Sequence, residues 1–337
     1  APYCILAGAM ISVSASALAE WIGLPPTPLG SILPTSFGWV AIAVTLGALF
    51  TAMAILGFSA LARFAGICSP WLFVVFAAGA IATLPKLGVS PDLSNLWEVL
   101  STKVWNGRPT PGQEQYGFWQ ILFFAWFCNL AMHVGLSDMA LFRYAKKPWY
   151  GVFTATGVYP GHFLAWLCSG IMVAAIGREM TPGRMALEAL GFAGVVAVVL
   201  AGWTTANPTL YRAGLALQSV SPNWARWKVT LWTGVVTTIL ACLPVFFLKL
   251  LDYVALYGLI LMPVGAIVFT EHWILPRIGV DKYLGEEKGV TLNWQALLVW
   301  VATLGVAWVL PMHLFYRWLP CWFIAVAMYA VLRKVTK

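Results

Sequence analysis

The sequence predicts an all-α, polytopic membrane protein, and three observations support that class. Only 9% of the 337 residues are charged, whereas roughly 25% is usual for a soluble domain. Hydrophobic residues make up 61% of the chain, and the mean hydropathy is +0.82. Several apolar runs reach the roughly 20 residues that a helix needs to cross the hydrocarbon of a bilayer. A chain with so little charge lacks the polar surface of a soluble protein, so we expect it in a membrane.

The apolar runs divide into ten predicted membrane segments, which we assign to one transmembrane domain over residues 1–337. In chain order they are 1–24, 37–60, 68–88, 115–140, 150–177, 185–207, 228–248, 252–275, 293–310 and 318–333. Tryptophans lie near many segment ends, as an interfacial belt requires: Trp21, Trp71, Trp149, Trp224, Trp227, Trp273, Trp294 and Trp318. The long polar connection 89–114 is predicted to be an external loop with a short surface helix at 94–104.

The basic residues predict the orientation of the chain. The formal net charge is +8, but the Lys and Arg residues are spread over short loops, which argues against a nucleic-acid partner. If residue 1 starts on the cytoplasmic side, thirteen of the 20 Lys and Arg residues fall in cytoplasmic loops and seven on the other side. The positive-inside rule then predicts an inner-membrane protein with both chain ends cytoplasmic.

The cysteines and the first residues give two further expectations. All six cysteines lie in or beside apolar runs without a Cys-x-x-Cys pair, which favours small buried hydrophobes over a metal or redox site. No Lys- or Arg-led signal peptide precedes the first apolar run. We therefore expect the chain to begin partway through a larger protein.

One face of segment 115–140 carries polar and aromatic groups. Trp126, Asn129, His133 and Ser137 follow one another at helical spacings of three, four and four. An aromatic ring, an amide and an imidazole in a row suit a planar heterocycle, which they would stack on and hydrogen-bond. The alternative is an interhelical contact in which Asn129 and His133 satisfy each other or a backbone carbonyl.

Two more segments place polar groups inside apolar helices. Ser12, Ser16 and Glu20 form one stripe on the first segment, and we predict a gating or site-lining role for Ser16 and Glu20. Serines also serve close helix packing, and Glu20 fits the membrane surface, so that alternative stays open. His162 is either a proton-relay group or a histidine satisfied by a neighbouring carbonyl.

The segment 185–207 ends in the most informative stretch, with adjacent hydroxyls at Thr204 and Thr205, an amide at Asn207 and a proline at Pro208. We predict that the helix breaks here and frees a carbonyl for a cation. Sodium is a hard cation that takes oxygen ligands, and Ala201 would supply the carbonyl. The alternative is that both threonines bond back to carbonyls one turn earlier.

These stretches resemble the nucleobase:cation symporter-1 family over most of the chain. The likeness to its sixth helix and following loop rests on Phe118-Trp119, Asn129, Asp138 and Arg143-Tyr144-Ala145-Lys146. The likeness to the eighth helix of its cytosine permease branch rests on Trp203-Thr204-Thr205-Ala206-Asn207 and Tyr211-Arg212-Ala213-Gly214-Leu215-Ala216-Leu217. The likeness elsewhere rests on Leu56-Gly57-Phe58, Ala62-Arg63, Pro70, Gly258 to Trp273 and Asn293-Trp294-Gln295-Ala296-Leu297.

The resemblance implies a LeuT-like bundle of two inverted five-helix repeats plus two helices, with the first two helices missing from this chain. It implies sodium- or proton-coupled uptake of a nucleobase or related heterocycle. Ala201, Thr204 and Thr205 would then hold the cation. Asn207 would contact the substrate, and Trp126 would stack on its ring.

The sequence therefore predicts a symporter that works by alternating access, with no enzymatic activity and no cofactor besides the coupling ion. Its partners would be a small heterocyclic solute and the lipid bilayer. One alternative is a degenerate transporter that serves as a structural or accessory membrane subunit. A membrane enzyme acting on lipid-linked substrates is disfavoured, because the acidic residues are scattered rather than clustered at one membrane face.

Overall fold

The structure is a computed structural model that describes residues 2–25, 31–34, 36–109, 115, 117–118, 136, 138–177, 181–283, 289–290 and 292–336. Over these ranges the regular structure is helical, without a strand. Seven helical stretches in these ranges are long and apolar enough to cross a membrane: Pro2–Trp21, Phe37–Ile55, Phe58–Leu87, Pro148–Ile176, Phe192–Val220, Tyr253–Ile278 and Trp318–Val335. The predicted all-α class is confirmed, and the helices fit a membrane-embedded protein.

The chain divides into two compact units. The first comprises residues 1–115 and 141–250, and the second comprises 116–140 and 251–337. The helices of the first unit are α1 Pro2–Trp21, α2 Phe37–Ile55, α3 Phe58–Thr83, α4 Gly151–Ile176, α5 Pro182–Leu190, α6 Phe192–Val220 and α7 Arg226–Ala241. Those of the second are α8 Leu250–Phe269, α9 Trp294–Val309 and α10 Trp318–Val335.

Helix α1 is the central helix of the first unit. Of its apolar window, 61% is buried inside the protein, the largest share among the seven long helices. It packs against α2, α5, α6 and α7. Its buried positions are mostly small residues, among them Ala7, Gly8, Ala9 and Ala15. Small side chains let helix backbones approach closely, which is how membrane helices gain packing energy in the absence of a hydrophobic driving force.

Four long helices continue through an internal proline: Pro70 in α3, Pro160 in α4, Pro208 in α6 and Pro263 in α8. As a result α3 begins at Phe58, earlier than the predicted 68, and α6 continues to Val220 instead of ending at 207. A proline costs one helical hydrogen bond and a steric clash, about 3 kcal/mol. Unwinding the helix in lipid would strand several backbone groups at several kcal/mol each, so the continuous helix is favoured.

Two shorter helices, α7 and the apolar helix α9, correspond to predicted segments 228–248 and 293–310. Helix α7 ends at Ala241, and a single helical turn Val245–Leu248 follows it. Helix α9 ends at Val309. Predicted segment 115–140 lies almost entirely outside the described residues.

The second unit contains its own core. Buried Ala266, Leu275, Val299 and Tyr329 form one cluster across α8, α9 and α10. A π-helical turn, Thr270–Ile274, and a 3-10 turn, Leu275–Ile278, extend α8. This extension places an acidic side chain beside the end of α10.

The polar connection after α3 has the predicted short helix, as an α-helical turn Leu96–Val99 followed by a π-helical turn Leu100–Val104. The Asn95 side chain accepts from Ser90 N at 2.9 Å and donates to Gly88 O at 3.0 Å. Lys103 donates to Leu87 O at 2.6 Å. These bonds fold the connection back onto the end of α3.

We expect Gly202→Ala to destabilise the first unit. A Cβ at Gly202 would overlap Ser14 Oγ on α1 and lie 2.7 Å from Met10 O, and such overpacking costs about 1–3 kcal/mol. The control is Gly66→Ala, because a Cβ at Gly66 meets nothing within 4 Å. Thermal unfolding in detergent should show a lower melting temperature for Gly202→Ala alone. Equal melting temperatures for the two variants would contradict the close α1–α6 approach.

Candidate functional site

The hydroxyl pair on α6 lies on an unbroken helix. Thr204 Oγ1 donates to Ala201 O at 3.1 Å, and Thr205 Oγ1 donates to the same carbonyl at 3.0 Å. The prediction of a broken helix at this point is therefore wrong, and the alternative that both threonines bond back along the helix is confirmed. Two hydroxyl oxygens nevertheless lie about 3 Å from the same carbonyl oxygen, and we call Ala201, Thr204 and Thr205 the oxygen cluster.

Pro208 leaves a second feature on α6 without interrupting it. In a regular helix the amide of residue 208 would donate to the carbonyl of Thr204, and proline has no amide hydrogen. The Thr204 carbonyl therefore lacks its usual helical donor. The Thr205 carbonyl instead accepts from Thr209 Oγ1 at 2.8 Å. The carbonyl freed by the proline is thus that of Thr204, not that of Ala201, which the sequence analysis expected to face the cation.

Asn207 is buried and is bonded within the first unit. With its amide oriented to match its neighbours, it donates to Phe50 O at 3.0 Å and accepts from Trp203 Nε1 at 3.1 Å. The Trp203 ring stacks on Phe50 at 4.8 Å and also contacts Phe64. Asn207 thus ties α6 to α2 beside an aromatic cluster. Its predicted contact with a substrate stays a prediction.

The serine stripe of α1 serves packing between helices. Ser12 Oγ donates to Ala241 O on α7 at 2.6 Å. Ser16 is 3% exposed and donates to Val13 O at 2.7 Å. Ser14, between them, bonds Met10 O at 3.0 Å and Val199 O of α6 at 3.4 Å. The Ser16 hydroxyl therefore bonds a carbonyl of its own helix. The site-lining role predicted for Ser16 stays a prediction.

Glu20 is partnered at the other end of α1. Thr181 Oγ1 donates to Glu20 Oε1 at 3.3 Å, and Arg184 Nη1 lies 3.8 Å from Glu20 Oε2. Thr181 is also the N-cap of α5, and Pro182 is its first residue. A carboxylate at a helix N-terminus interacts favourably with the helix dipole. The sequence analysis missed Thr181 and Arg184, although Thr-Pro before an apolar run is a helix-start signal.

The predicted stacking face lies outside the described residues. This face consists of Trp126, Asn129, His133 and Ser137.

The imidazole of His162 has its Nδ1 at 3.0 Å from Val158 O. The second interpretation of His162, a histidine satisfied by a carbonyl, is therefore confirmed.

A buried ion pair in the second unit was not predicted. Glu271 Oε1 accepts from Arg333 Nη1 and from the Tyr329 hydroxyl, and Glu271 Oε2 accepts from Tyr283 N at 2.7 Å. Both side chains of the ion pair are less than 10% exposed. Glu271 and Arg333 lie 62 residues apart in separate apolar segments, so neither segment alone indicates the pair. An acidic residue in one apolar helix and an arginine in another together indicate an ion pair between the two helices.

The first unit also has a cavity of about 530 Å³ between α1, α6 and α7. Its lining is mostly apolar and includes Tyr3, Cys4, Trp224 and Trp232. Among the residues described, no group of three or more His, Cys, Asp or Glu side chains is positioned to hold a metal ion.

No family model matches the chain, and no curated protein matches it.

We expect Glu271→Gln to destabilise the second unit strongly. Removing one partner of a buried ion pair leaves an uncompensated charge and costs about 3–5 kcal/mol. The control is Glu188→Gln, because Glu188 pairs with the half-exposed Arg184 at 2.7 Å, four residues earlier on α5, and water screens such pairs. Denaturant or thermal unfolding should show a large loss for Glu271→Gln and little change for the control. A similar small effect of both substitutions would argue against the buried network.

Proposed function

We propose that the chain is a cation-coupled secondary transporter with a LeuT-like fold, carrying a nucleobase or related small heterocycle by alternating access. In this proposal it spans the inner membrane with ten segments and has both ends of the chain cytoplasmic. The observation that supports it best is the oxygen cluster on α6, within a unit whose interior helices carry buried polar side chains. Polar side chains are costly inside a bilayer. Where they occur in membrane helices, they often line the path of a transported solute or ion.

The oxygen cluster has donor chemistry that suits a hard cation. Such ions take neutral or anionic oxygens at about 2.3–2.6 Å, so oxygens that share one ion lie roughly 3 Å apart. The two threonine hydroxyls lie 3.1 and 3.0 Å from the Ala201 carbonyl. If the hydroxyl protons turn away, all three oxygens face the ion with little movement. Sodium is the proposed coupling ion, and a proton is the alternative.

The hydrogen bonds of the two threonine hydroxyls determine the free-energy cost of binding an ion at the oxygen cluster. Without an ion, each threonine proton is satisfied by Ala201 O, so the cluster is stable when empty. An ion would replace these two bonds by charge–dipole contacts with the same oxygens. Thr205 is exposed and Thr204 is half-buried in the first unit, so an ion can reach the cluster. Coupling then requires that the ion bind one conformation of the transporter better than the other.

The proposed substrate-binding residues are Trp126, Asn129, His133 and Asn207. A planar heterocycle suits them because an indole ring stacks on its face, while amide and imidazole groups hydrogen-bond its edge. Glu20 and Ser16 are the proposed gating or site-lining residues. The Glu20 contacts with Thr181 and Arg184 support a role in joining α1 to α5.

The test is uptake of labelled nucleobases and vitamin-precursor heterocycles by the full-length protein in vesicles, with and without a sodium gradient. We expect Thr204→Ala and Thr205→Ala each to lower sodium-stimulated uptake by about tenfold or more, because one ligand to a charge is lost. The control is Thr45→Ala, since Thr45 is an exposed threonine that also bonds back along its helix, to Ala41 O at 2.8 Å.

Unchanged sodium stimulation in both α6 variants would contradict the ion site. Stimulation by a proton gradient alone, equally in wild type and variants, would assign the coupling to protons instead.

A second candidate function is a structural or accessory membrane subunit. The observation that favours it is that the hydroxyls of Thr204 and Thr205 and the amide of Asn207 are all satisfied within the protein. A folded full-length protein that transports none of the solutes under either gradient would support this candidate over transport.

A further inference from the structure

Four side chains form a basic and aromatic cluster at one end of the first unit: Arg143, Tyr144, Tyr211 and Arg226. Arg143 Nη2 donates to the Tyr144 hydroxyl at 2.7 Å and to the Tyr211 hydroxyl at 3.0 Å. The two hydroxyls lie 2.7 Å apart. The guanidinium of Arg226 lies over the Tyr211 ring, 4.5 Å from its centre. We call this set the arginine–tyrosine cluster.

Two helix N-termini lie beside the arginine–tyrosine cluster. Helix α3 begins after Gly57 and helix α7 begins at Arg226, and neither has a side-chain cap. Gly57 has a φ of 90°, which favours glycine, and its missing side chain leaves room for Arg226. Arg226 Nη2 lies 3.6 Å from where a Cβ of Gly57 would be. Uncapped helix N-termini present free amide groups and a partial positive charge.

Two arginines of the arginine–tyrosine cluster contribute positive charge, at Arg143 and Arg226. Within the described part of the chain, neither Arg143 nor Arg226 has a carboxylate partner. Arg184 and Arg333, by contrast, each pair with a glutamate. The Nη2 atom of Arg226 is buried and has no hydrogen-bond acceptor. A buried guanidinium donor without an acceptor is costly, and an anion would remove that cost.

The hydrogen bonds of Tyr144 favour its ionised form. The hydrogen bond with the Tyr211 hydroxyl, and then the one with the Arg143 guanidinium, lower the pKa of Tyr144 below its ordinary value. The environment therefore favours negative charge at the position of this hydroxyl. Phe58, the first residue of α3, stacks on Tyr144 at 4.1 Å and holds its ring beside the helix N-terminus.

We propose that the arginine–tyrosine cluster binds a phosphate group, as carried by the headgroup of an anionic phospholipid or by inorganic phosphate. Two guanidinium groups present forked donors that match phosphate oxygens, and helix N-termini add amide donors for the same ligand. The phosphate accepts from Arg226 Nη2 and from Arg143, and it neutralises both charges. The site is independent of the oxygen cluster on α6 and of the proposed transport.

The surroundings favour the lipid source. Exposed tryptophans flank the cluster in sequence at Trp149, Trp224 and Trp227, and tryptophan is the residue typical of the headgroup region. Lys146 and Lys147 follow Arg143 on the same loop and are exposed. Basic residues near a membrane surface attract anionic lipids.

The test measures two ligands on the full-length protein. Inorganic phosphate is titrated into the detergent-purified protein by calorimetry, and retention of phosphatidylglycerol relative to phosphatidylcholine is measured by native mass spectrometry. We expect Arg143→Gln and Arg226→Gln each to weaken binding by about tenfold or more, as loss of a charged hydrogen bond implies. Arg63→Gln is the matched control, because Arg63 is an exposed arginine on α3 outside the cluster.

The outcomes distinguish the sources. The site is assigned to a lipid headgroup if the wild type retains phosphatidylglycerol, the cluster variants lose it, and inorganic phosphate does not bind. It is assigned to a phosphate group from either source if the wild type binds both ligands and the cluster variants lose both. Arg143 is exposed, so Arg143→Gln tests the site even if Arg226→Gln fails to fold. The proposal is overturned if the wild type binds neither ligand, or if Arg63→Gln lowers binding as much as Arg143→Gln.

Discussion

The structure depends on one constraint: a polar group inside membrane-length helices must find its partner within the protein. The chain meets it in three ways. Threonines bond back along their own helix, as Thr204 and Thr205 do to Ala201 O. Ser12 bonds a carbonyl of a neighbouring helix, and Glu271 pairs with Arg333. Each solution fixes a helix pair or a helix face, so polar residues set the packing of the bundle as much as the apolar ones.

The same constraint positions the proposed sites. Because α1 carries small residues, α6 approaches it closely enough for Ser14 to reach Val199 O, and this contact holds the turn of α6 that precedes the oxygen cluster. Arg226 is among the described residues that keep a buried polar atom without a partner, as Thr51, Thr237 and Thr303 also do. The two proposals differ in this respect: the hydroxyls of Thr204 and Thr205 are hydrogen-bonded without an ion, whereas Arg226 Nη2 has no acceptor within the protein.

Composition and apolar length were enough to predict the helical class and the approximate position of most helices. They were not enough to predict that α6 continues past Pro208. That outcome depends on two costs: the one hydrogen bond that proline removes, and the several backbone hydrogen bonds that would be lost if the helix unwound. The Glu271–Arg333 pair was not predictable from either helix alone, since 62 residues separate its members. The link between Glu20 and Thr181, 161 residues apart, has the same cause. Local patterns identify helices, whereas contacts between helices require the fold.

The central claim is that α6 is one continuous helix in which the hydroxyls of Thr204 and Thr205 are hydrogen-bonded without an ion. Amide hydrogen exchange over residues 199–210, measured by mass spectrometry on the detergent-purified protein with and without sodium, tests it most directly. The account predicts slow exchange throughout this stretch in sodium-free buffer, with an effect of Pro208 confined to its immediate neighbours. Fast exchange from 204 to 209 that becomes slow only when sodium is added would show a helix broken in the absence of the ion and would contradict the account.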